Sequence, residues 1–328
     1  MNQGSTLIKM QLLTLNKDTR SDRKWSWTNR NESRADDIFF VAKELRRWWP
    51  MSVRQIYYRI ISSDRIKQDY WLWKNKQVDI YKALIRTLKW MRIDEKLPWN
   101  AITDEHRLTT PKIGFSNTNE FINSEIDNFL SGYARCSAQR QDNYIEVWIE
   151  KGTLLHIIKP IADHFCRRVV VCRGYNSVTF QSEFYKRAVE AMGYDQKPIV
   201  LYFGDWDPSG VNMIYAAIQT LQEELGLTNV HYYRAGINPE HFNMIPADPI
   251  PIKPSDTRAK RFVLDHGPVA YELDAFHPEQ LQQLVRNAIV EFTDMIAYEE
   301  NLRQEQKDFG VIDELKDDVM NFIDNKNH

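Results

Sequence analysis

Three acidic residues and a pair of tyrosines carry the chemistry open to this sequence. Glu150 ends the apolar run YIEVWIE, and Asp205 ends PIVLYFGD, with Asp207 two positions later in DWDPSG. Short apolar runs bounded by polar turns read as buried strands, so both leading acids stand where strands end. If those strands are parallel, Glu150, Asp205 and Asp207 gather at one edge of a sheet. Grouped hard oxygens suit Mg2+, which takes one or two protein carboxylates and keeps waters for a substrate phosphate. The same positions also suit purely structural work, with Asp207 capping the next helix and Asp205 making a turn. The tyrosines, Tyr57 and Tyr58, lie in VRQIYYRI with Arg54 one helical turn before Tyr58. A phenol with a pKa near 10 is a poor nucleophile at neutral pH, and an adjacent guanidinium would favour the phenolate. Paired tyrosines on an amphipathic helix also serve simply to pack a core.

The acids need a sheet to position them, and the pattern from 144 onward supplies one. YIEVWIE, RVVVCRG, PIVLYFGD and VHYYRAGI read as strands; TLLHIIKPIADHF, Ser177 to Met192 and Val211 to Leu225 read as the helices between them. Strand and helix in alternation predict a parallel sheet covered on both faces, with ligands at the carboxyl ends of the strands. Upstream, Ile38, Val41, Leu45 and Trp48 or Trp49 recur at helical spacing up to Pro50, and Ser52 stands as the N-cap of a second helix. A third begins near Val78, with Ile80, Leu84, Leu88 and Met91 on its apolar side and Lys82, Arg86 and Lys89 on another. Three short helices with a basic third one describe a helix-turn-helix or winged-helix module. The expected organisation is a polar arm (1–33), this helical module (34–107), a connection (108–143) with a short helix around Asn119 to Leu130, the sheet domain (144–295) and an acidic, solvated helix or tail (296–328).

With 328 residues, 43% hydrophobic and 12% aromatic, the chain has material for two cores. A mean hydropathy of -0.54, no apolar run of membrane-spanning length and a start without a signal-peptide pattern predict a cytoplasmic protein. Three cysteines, Cys136, Cys166 and Cys172, without C-x-x-C spacing, argue against a disulfide framework or a structural zinc. The net charge of -2 conceals a division. From Lys43 to Arg107 there are fifteen Lys and Arg against eight Asp and Glu, while the stretch after Glu299 is acidic. That division suits a polyanion-facing module, with Lys82, Arg86, Lys89, Arg46, Arg47 and Arg59 as candidate DNA contacts. Each of these also reads as ordinary surface charge.

VWIEK, RGY and GDWDPSG, in this order after VRQIYYRI, resemble the topoisomerase VI A subunits and the eukaryotic meiotic double-strand-break protein; YELDAFHPEQL and KPSDTR are similar to bacterial relatives of that group. The resemblance runs from about Ser33 to Met295. It implies an α/β protein with an all-α or winged-helix DNA-binding domain followed by a Toprim domain, a Rossmann-like fold with a mainly parallel sheet. It makes Tyr58 the nucleophile, forming a 5′-phosphotyrosyl link, with Arg54 beside it. Glu150, Asp205 and Asp207 fall on the Mg2+-binding acids, and Lys151 and Gly174 on adjoining positions. It further implies a nucleoid-associated homodimer on double-stranded DNA and, for strand passage, a separate ATPase subunit, since no Walker A segment occurs here. Asn176 replaces a common proline, and Trp206 is a bulky residue between the two aspartates. Two other readings fit the residues: a hydrolytic Toprim nuclease similar to that of the Wadjet plasmid-defence system, in which Tyr58 only packs, and a DNA-binding regulator whose acids are structural. A haloacid-dehalogenase-type phosphatase also opens on an apolar strand and D-x-D, but at the start of its domain. Here a strand ending in Glu150-Lys151 precedes that motif by about fifty-five residues.

Overall fold

The computed structural model describes residues 25–66, 71, 80–103, 114–130, 132–172, 178–253 and 256–326. The expected RGY motif with Gly174 and Asn176, and part of KPSDTR, lie outside the described residues.

Three helices build the amino-terminal module. Helix α1 (Asn29–Glu44) starts before the expected Ser33 because the Thr28 side chain accepts from the Asn31 N–H at 3.4 Å, capping the first turn. Helix α2 (Val53–Ser62) opens on a full capping box: Ser52 Oγ accepts from Gln55 N at 3.1 Å, and Gln55 Oε1 accepts from Ser52 N at 2.8 Å. Along α3 (Ile80–Ile93) the residues Ile80, Leu84, Leu88 and Met91 turn inward onto Ile38, Leu45, Ile56 and Ile60. The end of the polar arm packs on the same module, with Trp25 stacked on Trp90 and Trp27 Nε1 donating to Asp94 at 2.7 Å. Among the described residues of this module the elements are helical and the only strand-like pairing is the Met51–Ile102 bridge.

Helix α4 (Thr118–Asn128) interrupts the connection, and the sheet domain follows. Its strands β1 (Asn143–Ile149), β2 (Arg168–Val171), β3 (Lys197–Phe203) and β4 (His231–Gly236) are all parallel, in the order β2-β1-β3-β4. Helices α5 (Leu155–His164), α6 (Val178–Gly193) and α7 (Pro208–Gln219) make the crossovers. Alternate residues feed opposite faces. Ile145, Val147, Ile149, Ile199, Leu201 and Phe203 pack toward Ile157, Ile158, Leu281 and Val285, whereas Trp148, Val200 and Tyr202 pack toward Phe184, Met213 and Ile214. Burial on both faces explains why the central strands β1 and β3 read as nearly continuous apolar runs.

A short antiparallel pair, β5 (Ile250–Pro251) and β6 (Val269–Ala270), flanks α8 (Ala259–His266). Helix α9 (Pro278–Glu291) covers the α5 face, and α10 (Met295–Lys326) ends the described chain. The first turns of α10 are not simply solvated, as the sequence suggests for this acidic segment. Asn301 donates to Gln139 O at 2.8 Å, and Asp308 accepts from Arg135 Nη1 at 2.7 Å, so the helix pins the connection to the sheet domain. No helix among the described residues is long and apolar enough to cross a membrane.

Candidate functional site

The parallel register sets Ile149 beside Phe203, so the chain leaves β1 and β3 side by side. Glu150 and Asp205 therefore emerge as neighbours, and Glu150 Oε2 accepts the Asp205 N–H at 2.8 Å. Asp207 caps α7 by accepting from Gly210 N at 2.6 Å, ahead of Pro208 at the first helical position. Gly210 is sterically required: a Cβ there would stand 2.4 Å from Asp205 O and 2.7 Å from Glu150 Oε2. Glu150, Asp205 and Asp207 thus share the carboxyl edge of the sheet, and Asp207 does structural work while remaining part of the group.

Trp206 does not stand in front of this edge. It is buried against Phe242, Phe262 and His266, and its backbone pairs with Tyr271 through N–H···O contacts of 2.8 and 3.0 Å. That bridge carries Glu272, Leu273 and Asp274 to the cluster, where the Leu273 N–H donates to Asp205 Oδ1 at 2.8 Å. Glu272 and Asp274 repeat the two-residue spacing of Asp205 and Asp207 and lie in the YELDAFHPEQL segment of the resemblance, signals that could have marked them as partners of the site. Arg234, on β4, gathers the loop from behind by donating to the carbonyls of Gly204 at 2.9 Å, Gly210 at 3.2 Å, Ile237 at 2.9 Å and Asp205.

Lys151 sits at the centre of the acids. Its Nζ lies 2.7 Å from Asp205, 3.0 Å from Asp274 and 3.4 Å from Glu272. Burial works against the ammonium, yet the three carboxylates outweigh it and hold the Lys151 pKa well above the usual lysine range. Arg54 pairs with Glu272 on the outer side, which, with Lys151, keeps the Glu272 carboxyl below its ordinary value despite its burial. The deeper acids respond in the opposite sense. Burial pushes Glu150 up, helped by Asp207 and opposed by the Asp205 N–H and Lys151. Asp205, 4% exposed, is pushed up to about 7 by burial and by Glu150 and Glu272, with Lys151 opposing. Negative charge is in excess at this edge, which suits a further cation.

Among the described residues, no three Asp, Glu, His or Cys side chains form a ready-made metal cage. The donor set nevertheless fits a Mg2+ that retains most of its water. Among the described residues Glu150 Oε1 and Asp207 Oδ2 accept no hydrogen bond, whereas Asp205 spends its oxygens on Leu273 N and Lys151. Glu150 and Asp207 are therefore the better direct ligands, and Asp205 is set to hold Lys151.

Tyr58 is buried within its own chain. It is 4% exposed, packed edge-on to Tyr57 and enclosed in the core that continues into the sheet domain. Burial, with Glu272 adding to it and Lys151 and Arg54 opposing, raises its phenol far above the ordinary tyrosine value. It lies behind its own chain's acids because α2 docks on the turn Leu273–Ala275, tied there by Ser52 Oγ donating to Asp274 Oδ1 at 2.9 Å. Arg59 points the same way, half-buried and donating to Ala275 O, with burial lowering its pKa to about 10; it faces the sheet domain and not solvent. Arg46, Arg47, Lys82, Arg86 and Lys89 are exposed, although Arg47 is paired with Glu279 and lies over Trp48. Arg86 and Lys89 lie over Trp25 and Trp90, each at 5.4 Å.

No family model matches this chain, and neither a curated protein nor a solved structure matches it.

Proposed function

We propose that the protein cleaves DNA phosphodiesters in a magnesium-dependent reaction at the edge formed by Glu150, Lys151, Asp205 and Asp207, in a domain of Toprim type, with water as the nucleophile. The convergence of Glu150, Asp205 and Asp207 at the carboxyl end of a parallel sheet, with the half-buried Lys151 paired to Asp205, is the observation that carries this reading. A Mg2+ held by Glu150 and Asp207 would neutralise charge on the scissile phosphate and on the departing oxygen. The residues of the chain do the rest. Glu150 is taken up by the ion and by the Asp205 N–H, so the proton of the attacking water passes to solvent as the new oxygen–phosphorus bond forms and the ester bond breaks, and the departing oxygen takes a proton from solvent in turn. Lys151 keeps its proton and supplies a fixed positive charge. Asp205 and Asp274 hold that ammonium in place, and Arg234 fixes the loop that bears Asp205 and Asp207.

Burial of Tyr58 favours water over the tyrosine expected from the resemblance, since transesterification requires α2 to leave the surface on which it is docked. DNA approaches across the exposed Arg46, Lys82, Arg86 and Lys89 of the helical module, which would serve as a helix-turn-helix-like binding element. A homodimer would place two such edges on one duplex; an ATPase partner belongs only to the tyrosine reading. Supercoiled plasmid with Mg2+ tests the proposal. Cutting by the protein and by Tyr58→Phe, with protein-free ends and loss in Asp207→Asn, is the expected result. A covalent adduct on Tyr58 would replace water by the tyrosine, and DNA binding without any cutting would leave the regulator.

A further inference from the structure

A second concave site opens at the opposite, amino-terminal edge of the sheet, where β1, β2 and β3 begin. It is a cavity of about 570 Å3 whose described lining includes Arg140, Arg167, Arg168, Tyr194, Cys136 and Cys166, together with three glutamines and no acid. Arg167 is only 4% exposed. Among the described residues its one side-chain hydrogen bond is a long 3.4 Å contact from Nη2 to Thr293 Oγ1, a hydroxyl already donating to Ile289 O at 2.7 Å. Among the described residues its buried Nε has no hydrogen-bond partner. Cys136 and Cys166 line the same cavity, and burial lowers the pKa of Arg167. A buried charge this poorly partnered is costly and is retained where an anion completes it. The two further arginines stand at the rim, Arg168 exposed at the first position of β2, and Arg140 reaching only 3.5 Å from Glu300.

We infer that this cavity binds a nucleotide, with its phosphates on Arg167, Arg168 and Arg140 and its base against Tyr194. Guanidinium forks match phosphate oxygens, and Tyr194, 75% exposed at the mouth, offers a free aromatic face. The volume lies within the roughly 300–1,000 Å3 of small-molecule sites and exceeds what inorganic phosphate fills. The inference stands apart from the carboxylate edge and does not rest on DNA cleavage.

The test is calorimetric titration of the full chain with ATP and with GTP in EDTA, which silences any metal-linked binding at the carboxylate edge. Alkylation of Cys136, which is exposed, provides a second readout. One bound nucleotide and slower Cys136 alkylation are expected. Arg168→Ala and Arg140→Ala should each weaken binding about tenfold, the worth of one charge-assisted hydrogen bond. Tyr194→Ala should weaken ATP but not pyrophosphate. These three rim variants spare the core, so the test does not depend on folding of the buried Arg167→Met. No binding at millimolar nucleotide, or affinity unchanged in both arginine variants, overturns the site. Pyrophosphate binding as tightly as ATP, with Tyr194→Ala without effect, overturns the nucleotide in favour of a simple phosphate anion.

Discussion

Replacing Lys151 by methionine removes the only cation that touches Asp205, Asp274 and Glu272 together among the described residues. The stem volume is kept, so the loss is one of charge. Breaking a buried ion pair by deleting one partner costs about 3–5 kcal/mol, because the remaining charge is left uncompensated. For a domain of this size each kcal/mol lowers Tm by about 2–4 °C, so the expected drop at pH 8 is roughly 6–20 °C. The deficit should depend on pH in a defined direction. Asp205 has a folded pKa of about 7, above its unfolded value, so what its protonation contributes is complete below pH about 4 and is lost as pH rises through 7. Glu150 shifts in the same sense. Without Lys151 both rise further, which concentrates the penalty above pH 7; near pH 5, with Asp205 neutral, the deficit should shrink to about half. Glu272, held low by Lys151 and Arg54, keeps part of the penalty even there. Thermal unfolding followed by circular dichroism at pH 5 and pH 8 measures this. A Tm loss below about 2 °C at pH 8, or an equal loss at both pH values, would refute the reasoning.

Other substitutions test separate parts of the account. Gly210→Ala places a methyl against Asp205 O and Glu150 Oε2, and should abolish Mg2+-dependent cutting at least tenfold while circular dichroism shows the fold retained. Ser52→Ala removes both the α2 cap and the link to Asp274, and should cost about 1–2 kcal/mol in urea unfolding. Arg187→Ala strands Glu146, which is 0% exposed and otherwise held by Tyr144 and Trp148, and should cost about 3–5 kcal/mol by the same assay.

The centre of the sheet was legible because β1 and β3 are buried on both faces, so YIEVWIE and PIVLYFGD needed no alternation to be recognised, and register alone then brings Glu150 beside Asp205. Ser52 was legible as a cap because its partner, Gln55, is local. What escaped the sequence is what depends on distant contacts. Glu272 and Asp274 enter the site only through the Trp206–Tyr271 bridge, which joins residues 65 apart, and Arg234 enters from an edge strand. Tyr58 and Arg59 read as a reactive tyrosine and a DNA contact on an isolated helix. Docking of α2 on Leu273–Ala275 turns both inward, and helical periodicity carries no information about which neighbour covers a face. The winged-helix expectation came from three helices and from the resemblance, and among the described residues the only strand-like pairing in that module is the Met51–Ile102 bridge.

Ion binding at the carboxylate edge can be measured without knowing the DNA substrate, by titrating the protein with Mn2+ as a Mg2+ surrogate and following free ion by electron paramagnetic resonance. Binding should be lost in Glu150→Gln combined with Asp207→Asn and retained when Asp317 and Asp318 on α10 are both changed to asparagine. Binding undiminished in the Glu150 and Asp207 double variant, or no binding by the unaltered protein at millimolar Mn2+, would contradict an ion site at this edge.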